Sequence, residues 1–224
     1  PSGAVMAANT TAQVLIGAGW RDSAGTETFR AFDPATGEPT GDAFPVSPAA
    51  ELEAAMRAAV AAAPALAATA PETIAAFLES YAAGIEAQID ALAELARSET
   101  ALPITPRLAG NELPRTILQL RHAAAAARAR SWTQPVIDTA AGLRSALGPL
   151  GKPVLVFGPN NFPFAYNAVA GSDFASAIAA RNPVIAKGHP GYPASTRALA
   201  QIAHRAAQQA GLPEGSVQML YHFG

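Results

Sequence analysis

The final third of the sequence alternates short apolar runs with longer amphipathic stretches, and this alternation limits the fold more than any other feature of the chain. The apolar runs predict buried strands at residues 153–157, 183–187 and 216–220. The stretches between them predict helices at residues 166–180 and 193–210. Because strands that alternate with helices of this length form a parallel sheet, we predict an α/β fold with a β-α-β-α-β unit over residues 151–224.

Two neighbouring amides, Asn160 and Asn161, follow the first predicted strand in the stretch FGPNNFPFAY at residues 157–166. Parallel sheets bind ligands at the carboxyl ends of their strands, which places these amides and residues 187–189 beside a predicted site. An asparagine here caps a turn in one interpretation. In the other it is a fixed hydrogen-bond donor aimed at a reacting oxygen. The residues alone leave both interpretations open.

Known phosphate-binding motifs do not explain this site. Gly17-Ala18-Gly19 begins like a dinucleotide fingerprint, but Asp22 takes the place of the third glycine and no β-α-β pattern surrounds it. Gly151-Lys152 is followed by Pro153 rather than by the serine or threonine of a P-loop. A nucleotide bound to this sheet is therefore expected to bind without a glycine-rich turn.

The region before the sheet is predicted to be mainly helical, with a short β segment first. The strands are expected at residues 13–16 and 28–32, and the helices at 47–63, from 69 or 70 to 100, and at 111–130. Ser47 is the expected N-cap of the first helix and Pro48 its first residue. Two exposed strands are predicted at 131–136 and 143–147, and a flexible tail at 1–12.

Composition excludes several classes of function. Only 14% of the residues are charged and the net charge is −2, so nothing favours nucleic acid or an anionic membrane as a partner. The sequence contains no cysteine, and its four histidines are scattered, so we expect no metal site. With no apolar run of the ~20 residues that a spanning helix needs, and no signal-peptide pattern, we expect a cytoplasmic protein.

The motifs in the second half of the chain, in order and at the right spacing, resemble those of aldehyde dehydrogenases. They are Asn161-Phe162-Pro163, Asn182-Pro183-Val184 and Lys187, supported by Gly19-Trp20-Arg21, by DPATG at 33–37 and by LPEG at 212–215. The resemblance covers essentially the whole chain. Arg181 departs from it, since the family usually has glycine there; we expect a different turn or a left-handed Asn182.

The resemblance implies roles for the residues at the strand ends. Asn161 would donate its side-chain amide to the oxyanion that forms when a thiolate attacks an aldehyde. Lys187 would reach the adenosine ribose of the cofactor. The other residues that it places beside the cofactor are Phe157, Gly158, Pro159, Asn160, His189 and Pro190.

The resemblance also suggests a cofactor and a substrate class. The segment KGHPGYP at 187–193 is similar to that of an NADP-linked branch that includes 2,5-dioxopentanoate dehydrogenases. Many NAD-preferring members have glutamate where this chain has Pro190, so we expect NADP to be preferred, with NAD possible. Val169 replaces an arginine that clamps a substrate carboxylate in some relatives. The residues expected to line the aldehyde site instead are Tyr166, Phe164 and Arg115.

Family members are longer than this chain, and the catalytic cysteine and the general-base glutamate belong to the part that is not present here. We therefore expect the N-terminal portion of the fold, inactive alone because the covalent route needs the thiol. Residues 131–150 resemble strands that bridge subunits, which predicts a homo-oligomer. The alternative is a non-catalytic nucleotide-binding or assembly module. A coding sequence that continues in frame through a cysteine would favour the enzyme, and a stop codon would favour the module.

Overall fold

The computed structural model describes residues 11–223. Its strands are β1 (Val14–Ile16), β2 (Gly19–Arg21), β3 (Thr28–Phe32), β4 (Pro39–Ser47), β5 (Val136–Asp138), β6 (Leu143–Ser145), β7 (Val154–Phe157), β8 (Val184–Lys187), β9 (Val217–Leu220) and β10 (His222–Phe223). Its α-helices are α1 (Ala49–Ala68), α2 (Pro71–Glu86), α3 (Ile89–Thr100), α4 (Leu113–Ala129), α5 (Ser172–Ala179) and α6 (Pro193–Ala210). A helical segment with π-type hydrogen bonds, Ile104–Glu112, leads into α4.

The larger sheet has the strand order β2-β1-β9-β8-β7. Strands β7, β8 and β9 are parallel neighbours, and α5 and α6 connect them along the chain, so the predicted α/β fold is confirmed. On the far side of β9, the antiparallel pair β1 and β2 extends the sheet, with Leu15 opposite Met219. A second sheet has the order β10-β4-β3, and β5 pairs with β6 in an exposed hairpin.

The helices pack around an aromatic cluster and a close crossing. Tyr81 is fully buried, 6.1 Å from the ring centroid of Phe77 and 5.9 Å from that of Phe174. Helix α2 approaches α6 closely at Gly84, where an added Cβ would lie 2.5 Å from Ile202 Cγ2. Within residues 11–223 no single helix is long and apolar enough to cross a membrane, and α1 with α2 meets those criteria only as a pair bent by 116°.

Helix α1 differs from its predicted bounds at both ends. Pro48 is the N-cap, and the Ser47 hydroxyl is buried without a hydrogen-bond partner among the described residues, so the predicted serine cap is wrong. The helix also continues through Pro64 to Ala68. Proline leaves the carbonyl four residues earlier without an intrahelical donor. That residue is Val60, which is 53% exposed, so water can satisfy the carbonyl.

Two further helix boundaries were predicted wrongly. The long helix predicted to end at residue 100 is broken between Glu86 and Ile89, although its apolar spacing continues across the break. The helix predicted from residue 166 begins only at Ser172. In the turns before it, the Asn167 side chain donates to Pro163 O (2.9 Å) and accepts from the Val169 N–H (3.0 Å), which supports turns instead of a helix.

The strands β2 and β4 were not predicted, and further differences lie at the hairpin and near the N-terminus. Ser131–Thr133 forms a 3-10 turn, so the first strand of the hairpin starts later than predicted, at Val136. The predicted tail falls mostly on residues 1–10, outside the described residues. Its last residue, Ala12, is buried and donates its N–H to Ala43 O over 2.9 Å, so Ala12 belongs to the folded domain.

Arg181 itself adopts the left-handed conformation, with φ of 60°. The expectation of a different turn or a left-handed Asn182 is therefore wrong. Asn182 is held elsewhere, because its side-chain oxygen accepts from the Leu150 N–H over 2.7 Å. The guanidinium of Arg181 donates to Ala67 O at the end of α1 over 2.9 Å, which offsets part of the backbone strain.

Comparing Arg181→Gly with Arg181→Ala isolates this strain. Both variants lose the contact with Ala67, but only glycine adopts a positive φ at no steric cost. We expect the glycine variant to exceed the alanine variant in free energy of unfolding by about 1 kcal/mol, measured by urea denaturation. Equal stability of the two variants would show that the turn at residue 181 is not strained.

Candidate active site

The carboxyl ends of the parallel strands lie side by side at one edge of the sheet. Phe157 is the register partner of Lys187, and Lys187 is the partner of Leu220. The Gly158 N–H donates to Lys187 O over 3.0 Å, which carries the pairing one residue past the end of β7. The structure thus brings together Phe157, Gly158 and Lys187, three of the predicted cofactor residues. Lys187 is partly buried, and this burial lowers the pKa of its ammonium group.

Beyond Lys187 the chain presents hydrogen-bond donors and no acid. The His189 ring stacks on Tyr192 with a centroid separation of 5.3 Å, and its Nδ1 accepts from the Gly191 N–H over 3.0 Å. The neutral ring therefore carries its proton on Nε2. Burial, and then the nearby charge of Lys187, lower the pKa of His189. Position 190 is a proline, so it adds no carboxylate to this segment. The Lys187 ammonium and the His189 Nε2–H are both donors, and donors suit ribose hydroxyls or a phosphate.

The two amides after β7 are exposed and available. Among the described residues, the side chains of Asn160 and Asn161 have no hydrogen-bond partner, so neither caps a turn in this structure. The loop is held through its main chain instead. The Tyr192 hydroxyl donates to Pro159 O. Burial raises the pKa of Tyr192, so the phenol keeps the proton that it donates.

Arg107 holds the main chain of Asn161 from the other side. Its Nη2 donates to Asn161 O over 2.8 Å, and its Nε donates to Glu112 Oε1 over 2.7 Å. The guanidinium carbon also lies 4.4 Å from the ring centroid of Phe162. One side chain therefore fixes the asparagine carbonyl and covers the neighbouring ring by a cation–π contact.

Glu112 completes this arrangement from the start of α4. Its second carboxylate oxygen accepts from the N–H groups of Phe164 (3.1 Å) and Ala165 (3.4 Å), and its side chain is 1% exposed. Sequence reasoning named neither Arg107 nor Glu112. Arg107 lies in the segment between two predicted helices and Glu112 at the start of the helix predicted at 111–130, where no periodicity shows that a charge is buried. In the sequence the contact is visible as two opposite charges, Arg107 and Glu112, that lie five residues apart. Such pairs are usually exposed to solvent, so this one did not indicate a buried carboxylate.

A second buried carboxylate supports the opposite flank. Glu99 accepts from the N–H groups of Ala194 and Ser195, each over 2.8 Å, and from the Ser195 hydroxyl over 2.7 Å. It thereby caps the N-terminus of α6. Burial raises the pKa of Glu99. Between the two flanks lies a groove of about 580 Å³, lined on one side by Glu99, Tyr192 and Gly191 and on the other by Arg107, Asn160, Asn161 and Phe162.

Two of the three predicted substrate residues meet at the surface. Arg115 Nη2 donates to the Tyr166 hydroxyl over 2.6 Å, and the Tyr166 ring lies 5.1 Å from that of Phe162. With its amide nitrogen toward Ala165 O, Gln119 accepts from Arg115 Nε over 3.3 Å. This arrangement places a guanidinium on the same side of the turn as the Phe162 ring.

The third predicted substrate residue, Phe164, belongs to the core. It is 0% exposed and joins the continuous hydrophobic cluster, so it has no surface to offer an aldehyde in this structure. Val169, which stands in the place of the carboxylate-binding arginine of some relatives, is also fully buried. The pattern FPFAY did not distinguish Phe164 from Tyr166, because the turns of this segment have no regular periodicity.

Comparison with known proteins identifies the family. The model of the aldehyde dehydrogenase family matches residues 20–224, and the chain belongs to that family. The chain is 40% identical, over 94% of its length, to alpha-ketoglutaric semialdehyde dehydrogenase 2 of Azospirillum brasilense. It is 33% identical, over 91% of its length, to an alpha-ketoglutaric semialdehyde dehydrogenase of Acinetobacter baylyi. It spans 41% and 40% of those two relatives.

Solved structures show the same fold. Aldehyde dehydrogenase C of Pseudomonas syringae, crystallised with NAD+ and octanal, superposes with a TM-score of 0.82 over 96% of this chain and 42% of its own, at 22% identity. An aldehyde dehydrogenase of Physcomitrella patens in complex with succinate gives a TM-score of 0.78, over 96% of this chain and 44% of its own. The predicted aldehyde dehydrogenase-like fold, present in part, is confirmed.

Proposed function

We propose that this chain is the N-terminal part of a cytoplasmic, NAD(P)-dependent aldehyde dehydrogenase that oxidises an aldehyde to a carboxylic acid. The observation that carries the proposal is the Asn161 amide, which has no partner among the described residues and extends from a turn whose main chain is held on both flanks. When bound, the cofactor accepts the hydride that leaves the substrate carbon. The thiolate that attacks the aldehyde would come from beyond the residues of this chain, which has no cysteine.

Within that enzyme, Asn161 donates a side-chain N–H to the oxygen that becomes negative when the thiolate adds to the carbonyl. A donor already in place contributes about 3 kcal/mol to lowering the barrier, because it does not reorganise as charge develops. An amide engaged in a cap would have to break its own hydrogen bond first. The unengaged amide of Asn161 has no such bond to break.

Asn161→Ala in the complete enzyme is expected to lower kcat about a hundredfold, with the KM for the cofactor nearly unchanged. The reason is that the amide acts on the developing oxyanion and not on the nucleotide. Steady-state kinetics measures kcat at saturating cofactor and the KM by varying the cofactor concentration. Gln208→Ala removes an exposed amide on α6, remote from the turn, and is the control. An unchanged kcat would show that the Asn161 amide does not take part in catalysis.

For the cofactor we propose a preference for NADP over NAD. The adenosine end would meet the Lys187 ammonium and the His189 Nε2–H, with no carboxylate at position 190 to repel a 2′-phosphate. Phe157, Gly158, Pro159 and Asn160 would line the path toward Asn161. Protonation of His189 breaks the hydrogen bond from Gly191 but gives the 2′-phosphate a positively charged neighbour.

The preference for NADP should grow as the pH falls. The pKa of His189 lies below its ordinary value, so the ring is mostly neutral at pH 8 and gains a proton as the solution becomes acidic. The ratio of kcat/KM for NADP to that for NAD is expected to rise as the pH falls from 8, with the rise below pH 6.5, because the pKa of His189 is lowered from its ordinary value. A 2′-phosphate titrates near the same range. The His189→Gln variant, in which only the phosphate titrates, is therefore the reference. Identical pH profiles of the two proteins would exclude His189 from cofactor recognition.

For the substrate we propose a semialdehyde acid of the 2,5-dioxopentanoate type. Two curated relatives are named for alpha-ketoglutaric semialdehyde, which is the same compound. In this chain the Tyr166 hydroxyl and the Gln119 amide hold the Arg115 Nη2 and Nε, and Nη1 has no hydrogen-bond partner among the described residues. A guanidinium held in this way can bind a carboxylate with its remaining donors.

Removal of this guanidinium should discriminate between substrates. Arg115→Ala in the complete enzyme is expected to lower kcat/KM for 2,5-dioxopentanoate about ten- to a hundredfold, because a hydrogen bond to a charged group is worth about 1.5–3 kcal/mol. Activity on hexanal, which has no carboxylate, should stay the same. Arg121→Ala removes an arginine from the same helix that pairs with Glu86 instead, and is the control. An equal loss of kcat/KM on both aldehydes would show that Arg115 does not bind the substrate carboxylate.

We propose further that the complete enzyme is a homo-oligomer. The β5–β6 hairpin and the segment after it expose apolar side chains to solvent: Val136, Ile137, Leu143, Leu147 and Leu150 are 57–71% exposed. Residues 131–150 are also those that resemble the subunit-bridging strands of the family. Several large apolar side chains exposed within one short segment of a chain of low charge favour association with a second copy.

A further inference from the structure

The turns between β7 and α5 are held by side chains rather than by strand or helix hydrogen bonds. Arg107 donates to Asn161 O, Glu112 accepts from the N–H groups of Phe164 and Ala165, and Asn167 donates to Pro163 O. The direction of the Asn161 side chain depends on its own φ and ψ. Arg107 holds the Asn161 carbonyl and so constrains ψ, the rotation that orients this carbonyl relative to the Asn161 Cα and its side chain.

The Arg107 guanidinium is itself fixed in orientation. Its Nε is bound to Glu112, whose side chain is 1% exposed, while its own side chain is 34% exposed. Because a guanidinium is planar, a fixed Nε contact also fixes the direction of Nη2. The Phe162 ring, 4.4 Å from the guanidinium carbon, limits movement out of that plane. Arg107 is thus a rigid connection between a buried carboxylate and the Asn161 carbonyl.

We propose that Arg107 is a positioning residue for the oxyanion donor: it acts through Asn161 by holding the Asn161 carbonyl so that the side-chain amide faces the reacting oxygen. The inference rests on the proposed role of Asn161. Misplacement of a catalytic group by 1 Å costs about a hundredfold in rate, so a loosened carbonyl is enough to lower kcat.

A purely structural role is the competing explanation. In that case Arg107 only neutralises the buried Glu112, and its loss destabilises the fold whether or not Asn161 is present. Removing one partner of a buried pair is destabilising because the other charge stays uncompensated. Both explanations predict a lower melting temperature, so stability alone does not decide between them. The dependence of the effect on Asn161 does.

A double-mutant cycle in the complete enzyme separates the two. Arg107→Met is made in the wild-type background and in Asn161→Ala, and kcat, the KM for the cofactor and Tm are measured. Positioning predicts that Arg107→Met lowers kcat at least tenfold in the wild type, and less than twofold once Asn161 is gone. The KM for the cofactor stays within twofold in both. Arg121→Met, which breaks an exposed arginine pair with Glu86, is the control.

Arg107→Lys keeps the positive charge opposite Glu112 but loses the planar fork, and it covers the case in which the methionine variant does not fold. Positioning predicts a near-normal Tm for this variant and a kcat at least fivefold lower, again only when Asn161 is present. Equal losses of kcat in both backgrounds, or full activity of Arg107→Lys, would overturn the inference. If Asn161→Ala alone left kcat unchanged, the proposed function would fail first, and the positioning role with it.

Discussion

The buried carboxylate of Glu112 is the interaction on which the arrangement of the candidate site depends. It joins three parts of the chain: the start of α4, the Arg107 side chain, and the N–H groups of Phe164 and Ala165 in the turn after β7. Exposed ion pairs such as Arg57–Glu53 contribute about 0–1 kcal/mol. Breaking a buried pair costs about 3–5 kcal/mol, because the remaining charge has no solvent. The buried pair is therefore the one that constrains the turn.

Glu99 has a corresponding role on the opposite flank. It holds the first turn of α6, and the residue just before that helix, Tyr192, donates to the Pro159 carbonyl. Buried acids on two sides thus anchor main-chain atoms. The two groups suited to chemistry have no intramolecular acceptor among the described residues; they are the Asn161 amide and the His189 Nε2–H. This division agrees with the general need for a rigid support behind each reacting group.

The sequence predicted the parts of the fold that follow from periodicity. The order of the β-α-β-α-β unit is as predicted, and helix α6 and the strands β3, β7, β8 and β9 lie within one residue of their predicted positions. Where side chains compete with backbone hydrogen bonds, prediction failed. Asn167 delays the start of α5, and α1 passes through Pro64 at a position where Val60, one turn earlier, is exposed.

The candidate site was also predicted only in part from the sequence. Family motifs indicated Asn161 and Lys187 by position, and the structure places both at the carboxyl edge of the sheet. The supports were not predictable, because Arg107 and Glu112 lie more than 45 residues from the turn they hold, and only the tertiary fold brings them there. Arg115 and Tyr166 were named separately, and the structure shows that they are hydrogen-bonded to each other.

Amide hydrogen exchange of the 224-residue chain, followed by NMR, tests most directly whether Glu112 holds the turn. The Phe164 and Ala165 N–H groups should be strongly protected, since a buried carboxylate accepts both. The N–H groups of Asn160 and Asn161, which have no acceptor among the described residues, should exchange quickly. In Glu112→Gln the protection of Phe164 and Ala165 should fall while that of the β8 strand is kept. Exchange at Phe164 and Ala165 as fast as at Asn160 would contradict the central role of Glu112.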